Sequence, residues 1–195
     1  MLTTDASMYF DDLVQVIANM PLQAIDQIVS VLLDAHESSR TIFLFGNGGS
    51  AALASHFACD LGKGAANGSG KRFQALALTD NVPLMTAWAN DANYEDIFAE
   101  QLATFVQPDD IAFAISGSGK SPNVLKALKV AREARAFTIG LTGYKGGHLK
   151  DLCDVCLIVP SDNMQIIEDL HLSVTHAVLT ALRAKICQEN REAAA

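Results

Sequence analysis

The stretch TIFLFGNGGSAA, Thr41 to Ala52, passes from an apolar strand-like run through a turn of glycine, asparagine and serine into a helix-like segment. The pattern returns in IAFAISGSGKSPN, Ile111 to Asn123. In both copies the turn falls at the carboxyl end of a buried strand, which is where open α/β sheets bind their ligands. Each turn also opens a helix, whose unpaired backbone N–H groups and positive dipole end attract an anion. Ser50, Ser116, Ser118 and Ser121 add hydroxyls that donate to phosphate oxygens without bringing a charge. The doubled loop points to a phosphorylated small molecule as ligand.

Around these loops, strands are expected at 41–45, 73–78, 111–115, 137–142 and 154–159. Helices are expected from about 49 to 62, in stretches through 82–106, at 122–135 and along 162–188. Strands alternating with helices predict a parallel sheet wound by right-handed crossovers, an α/β fold. Ahead of the first strand, Tyr9, Leu13, Val16 and Ile17, then Ile25, Ile28, Val29 and Leu32, recur at helical spacing and predict a helical pair within 4–38. Pro21 divides the pair. Because the pair stands outside the alternating pattern, it is expected to lack a sheet face and to pack on another subunit. The αβα core then spans 41–188 of a single domain, with loops at Gly62 to Arg72 and Thr142 to Leu152.

Half of the 195 residues are hydrophobic and 18% are charged, enough apolar material for a sizeable core. The formal net charge of -8, with 14 scattered Lys and Arg, argues against a nucleic-acid surface, which needs a basic stripe. No apolar run approaches a membrane span, and MLTTDASMYFDD carries acid where a signal peptide carries base. A soluble, cytoplasmic protein with no membrane partner is the expectation.

Two other glycine loops are weighed against the phosphate cradle. AISGSGKS contains the GKS of a nucleotide-triphosphate P-loop, but the first glycine of that motif would fall at Ala114. The first loop also reads as GxGxxA, a dinucleotide fingerprint, yet the nearest acid at the end of the following strand is Asp80, 34 residues past Gly46. The ribose contact of such sites comes about 20 residues on. No nucleotide cofactor is expected. Cys153 and Cys156 have the CxxC spacing of redox or zinc sites. Read as part of a strand, CDVCLIVP would place the two sulfurs on opposite faces, leaving them as small buried hydrophobes.

Titratable residues concentrate on two helices. His56 and Asp60, four apart, share a face on the helix that leaves the first loop, where they can bind a metal or pass protons. The plainer alternative is a histidine bonded to a carboxylate on a solvated face. The last helix, IIEDLHLSVTHAVLTAL, holds Glu168, Asp169, His171 and His176 in an otherwise apolar sequence, where polar groups are costly unless paired or functional. At about 100° per residue, His171 and His176 diverge by about 140° and do not serve one point. Glu168 and His176 lie about 12 Å apart along the axis, so one of them is expected to serve a neighbouring subunit's site. His171 reads as a satisfied core histidine. Asp91, at the end of a helical stretch in WANDANYEDIF, reads as a cap or as a contact to a sugar hydroxyl above the sheet. Lys120 faces either phosphate or solvent.

Together GNGGSAALASHFA, SGSGKSPNVLKA, LTGYKGG and IIEDLHLSVTH resemble the sugar isomerase (SIS) domain family, in its phosphoheptose isomerase branch, from about Asp5 to Lys185. The resemblance implies a flavodoxin-like αβα sandwich with five parallel strands, assembled as a homotetramer with active sites between subunits. It implies that Ser50, Ser116, Ser118 and Ser121 hold a sugar phosphate, with Asn47, Gly48 and Asp91 near the sugar chain. It further implies isomerisation of sedoheptulose 7-phosphate to an aldoheptose 7-phosphate through an enediol, with Asp60, Glu168 and His176 as the catalytic groups. Some members of this branch bind zinc, at positions that match His56, Asp60, Glu168 and His176. The rival reading is a non-catalytic sugar-phosphate-binding module that regulates or binds a protein partner. The chain departs from the branch in carrying Asp60 for a usual glutamate, Glu168 for a usual glutamine, and Gly117 where many members have a hydroxyl.

Overall fold

The computed structural model describes residues 5–64 and 71–193. Five parallel strands form one sheet in the order β2-β1-β3-β4-β5: β1 Thr41–Gly46, β2 Gln74–Ala77, β3 Ile111–Ile115, β4 Phe137–Thr142 and β5 Val155–Ile158. The central strands are continuous apolar runs because both faces are covered, the pattern that parallel sheets require. Helices α3 (Gly49–Cys59), α4 (Val82–Asp91), α5 (Ala99–Phe105) and α6 (Pro122–Glu133) connect the first four strands. Between β4 and β5 there is only a short 3-10 turn, Leu149–Asp151.

One sheet face carries Phe43, Phe45, Ala112 and Ala114 against α4, α5 and α6. The other carries Ile42, Leu44, Phe113, Leu141 and Leu157 against α3, the N-terminal helices and α7 (Met164–Ala193). Only α3, among the connecting helices, lies on this second face. The remaining area over β4 and β5 is filled by α7 and by α2 (Leu22–Glu37), whose Ile28 and Leu32 are fully buried. Helix α2 of the N-terminal pair therefore does cover a sheet face, contrary to the expectation from the alternating pattern. Helix α1 (Asp5–Ala18) packs its Tyr9, Leu13 and Val16 inward and leaves Phe10, Val14 and Ile17 exposed on its far side.

A second correction concerns the CxxC pair. Strand β5 starts only at Val155, after a bend at Asp154. The Asp154 carboxylate accepts from the Thr138 backbone N–H and hydroxyl, both at 2.8 Å, and the Asp154 N–H donates to the Thr138 carbonyl at 2.9 Å. That bend carries Cys153 back over the face on which Cys156 lies, with its Sγ over Gly140, the in-register neighbour of Cys156. Part of the glycine-rich stretch Gly62 to Arg72 lies outside the described residues. No single helix among the described residues is long and apolar enough to cross a membrane.

Candidate active site

The strand order reverses between β1 and β3, and Gly46 pairs with Ile115 at their carboxyl ends. The two sequence loops therefore start side by side, in the crevice where doubly wound sheets bind ligands. At Gly46 an added Cβ would come within 2.6 Å of the Ile115 carbonyl oxygen, so a side chain there would force the two loops apart. Gly48, with φ at 56°, turns the chain into α3. Asn47 projects between the loops. Its amide pairs reciprocally with that of Asn123, donor to acceptor at 2.8 Å in each direction, and the Tyr94 hydroxyl donates to Asn47 Oδ1 at 3.2 Å.

In the second loop the Ser116 and Ser121 hydroxyls lie 3.2 Å apart, and Ser118 Oγ accepts from the Lys120 N–H at 3.2 Å. Ser121 stands at the N-cap position of α6 without a side-chain cap bond, its hydroxyl turned to Ser116, and Pro122 takes the first helical position. Gly119 takes φ of 64°, and its carbonyl accepts from the N–H groups of His148 and Leu149 at 2.9 and 3.0 Å. The two residues that follow the LTGYKGG turn thus brace the phosphate loop. At Gly117 a Cβ would lie 2.5 Å from Met164 Sδ. The space that a hydroxyl-bearing residue would need is taken by the first residue of α7.

The titratable residues gather where α3 meets α7. Helix α3 gives way to a π-helical turn, Asp60–Gly64, a feature frequent at functional sites. His56 Nε2 lies 3.0 Å from His176 Nε2 and 3.4 Å from Asp60 Oδ2, and His176 Nε2 lies 3.8 Å from the same carboxylate oxygen. One ligand atom from each of the three falls within 4.8 Å of the others. Two imidazole nitrogens and a carboxylate oxygen at that spacing fit the donor chemistry of zinc. A single chain supplies all three.

Glu168 stands apart from this trio. Its carboxylate approaches the amino-terminal end of α3, 3.2 to 3.3 Å from where a Gly49 Cβ would be, and so meets the positive end of that helix. A cavity of about 270 Å³ lies between, lined by Ser50, Leu53, His56, Glu168, His171 and Leu172 among others. His171 is 1% exposed and its Nε2 lies 3.1 Å from the Thr142 carbonyl. Its Nδ1 has no partner among the described residues, and burial pushes its pKa down to about 4. Asp91 ends α4, is exposed, and accepts from the Asn90 side chain at 2.7 Å; it caps no helix.

Residues 8–143 match the family model described as the SIS domain. The chain is 38% identical over 167 residues to the phosphoheptose isomerase of Helicobacter hepaticus, covering 86% of this chain and 84% of that one. Among solved structures, a phosphoheptose isomerase from Francisella tularensis superimposes with a TM-score of 0.84 at 32% identity, covering 93% of this chain and 98% of that one. One from Neisseria gonorrhoeae gives a TM-score of 0.87 at 28% identity, covering 94% and 100%. The chain belongs to the SIS domain family, in its phosphoheptose isomerase branch. Three residues that shape this SIS site escaped the sequence reading: Asn123, Tyr94 and Met164. Asn123 had a visible signal, a polar side chain following Ser-Pro at a helix start, where a buried amide needs a partner.

Proposed function

We propose that the protein is an aldose-ketose isomerase that converts sedoheptulose 7-phosphate into D-glycero-D-manno-heptose 7-phosphate. The observation that carries this reading is the meeting of His56, Asp60 and His176 beside a cavity that Gly49 and Ser50 of the first phosphate-binding turn line. A phosphate sensor would need the turns alone. Ser116, Ser118 and Ser121 with the amino-terminal end of α6 hold the phosphate, while Asn47, Ser50 and Asp91 bind the hydroxyls of the extended sugar.

The chemistry moves one proton between adjacent carbons. Asp60 removes the proton from carbon 1, next to the ketone, and His176 supplies a proton at oxygen, giving an enediol. The reverse transfers, with the proton returned to carbon 2, give the aldose. Asp60 and His176, 3.8 Å apart, each regain their starting protonation state within the one turnover. Glu168 approaches the same cavity from α7 and binds a hydroxyl near the reacting carbons. In a zinc-loaded form His56, Asp60 and His176 would hold the ion instead of moving protons; the ion would polarise the substrate carbonyl and Glu168 would be the cavity carboxylate left to move the proton.

The exposed stripe Phe10, Val14 and Ile17 supports assembly of this enzyme as a homotetramer through α1. The test of function is turnover of sedoheptulose 7-phosphate by the purified protein and by two variants. Asp60→Asn and His176→Ala each lower kcat by about 10²-fold or more, the scale of a lost general acid or base, with an unchanged circular dichroism spectrum. Equal rates in all three proteins would refute the assignment.

A further inference from the structure

The CxxC segment carries chemistry that isomerisation does not use. Gly140 on β4 pairs in register with Cys156 on β5, so their side-chain directions lie on the same face, about 5 Å apart. A Cβ on Gly140 would be 2.7 Å from Cys153 Sγ and 2.2 Å from Leu149 Cδ2. Cys153 Sγ therefore fills the cradle that the missing side chain leaves, directly beside the Cys156 side chain. The bend at Asp154 thus sets the two cysteine side chains on one face as neighbours. Both cysteines are only partly buried and both are reduced.

We propose that Cys153 and Cys156 form a redox pair, which a hydroperoxide closes into an intramolecular disulfide that loosens the phosphate loop. The environment divides the two roles. The Cys153 thiol lowers the pKa of Cys156, and Lys150 lowers it further, against burial and Asp151. Cys153 is raised by its bond to Cys156, by burial and by Asp154, with Arg132 opposing. Cys156 is thus the attacking thiolate and Cys153 the resolving thiol.

The Cys156 thiolate attacks one oxygen of hydrogen peroxide, the O–O bond breaks, and hydroxide leaves as water, giving Cys156 sulfenic acid. Cys153 sulfur then attacks Cys156 Sγ, the S–O bond breaks, and the second oxygen leaves as water with the Cys153 proton. Two thiols are oxidised and one peroxide is reduced.

The link to the phosphate loop is short. Cys153 Sγ and the Leu149 side chain share the cradle over Gly140, and the Leu149 N–H holds the Gly119 carbonyl. Drawing Cys153 toward Cys156 removes a packing partner of Leu149 and slackens the brace under Gly119.

The test treats the full-length protein with hydrogen peroxide and maps the cysteines by mass spectrometry. Cys153 and Cys156 are expected to lose their free thiols together within one chain, and dithiothreitol restores them. A Cys153→Ser variant instead accumulates sulfenic and then sulfinic acid at Cys156. Two thiols still free, sulfinic acid at Cys156 in the unaltered protein, or a cross-link between chains would overturn the pair. The loop effect rests on the function proposed above and is read separately. KM for sedoheptulose 7-phosphate rises on oxidation and returns on reduction, and an unchanged KM overturns the link. Absence of turnover in both redox states would count against the isomerase and not against the pair. Inorganic phosphate is then the probe: a smaller rise in thermal midpoint for the oxidised protein supports the link, and an equal rise overturns it.

Discussion

At the scale of the residue, Gly117 is the departure from the branch with the clearest physical account. A hydroxyl-bearing side chain is excluded there because Met164 Sδ stands 2.5 Å from the position of its Cβ. Gly117→Thr should therefore destabilise the protein by about 1–3 kcal/mol, the cost of overpacking a filled space. Met164→Ala in the same chain should recover part of that loss in chemical denaturation. Glu168 is the residue whose place the sequence described least well. The helical spacing separates it from His176, and within one chain it stands at the start of α3, apart from the trio that His56, Asp60 and His176 form. Asn123 and Met164 were illegible for a related reason. Their partners Asn47 and Gly117 lie 76 and 47 residues away, and no local pattern encodes such contacts.

At the scale of the element, β3 matched its expected span because a parallel strand covered on both faces is a continuous apolar run, and β4 matched through the β-branched and apolar residues of FTIGLT. The end of α3 and the start of β5 were less legible. A π-helical turn and a side-chain-pinned bend depend on single hydrogen bonds rather than on periodicity. Helix α7 carries a pH response through His171. Its folded-state pKa of about 4 lies below the ordinary 6.5, so the unfolded chain takes up the proton first. Stability from this group is complete above about pH 6.5 and is lost as pH falls toward 4, by about 3 kcal/mol in all. Thermal midpoints across that range should fall more steeply for the unaltered protein than for His171→Gln, which keeps a donor for the Thr142 carbonyl. Parallel curves would rule out the buried imidazole as the source.

At the scale of the whole molecule, the fold follows from alternation of strand and helix, and the site from the reversal of strand order between β1 and β3. Both were readable in outline from the two glycine-serine loops. What alternation concealed is that α2 completes the sheet face over β5, while α1 leaves Phe10, Val14 and Ile17 exposed on its outer side. Phe10→Glu with Ile17→Glu should convert an assembly to monomers in sedimentation, with little change in helix content. Proton transfer between two carbons of a phosphorylated heptose is followed by proton NMR with sedoheptulose 7-phosphate in deuterated water. An aldoheptose 7-phosphate carrying deuterium at carbon 2 is the predicted result. A ligand that binds, yet neither turns over nor exchanges its carbon-bound proton, would contradict it.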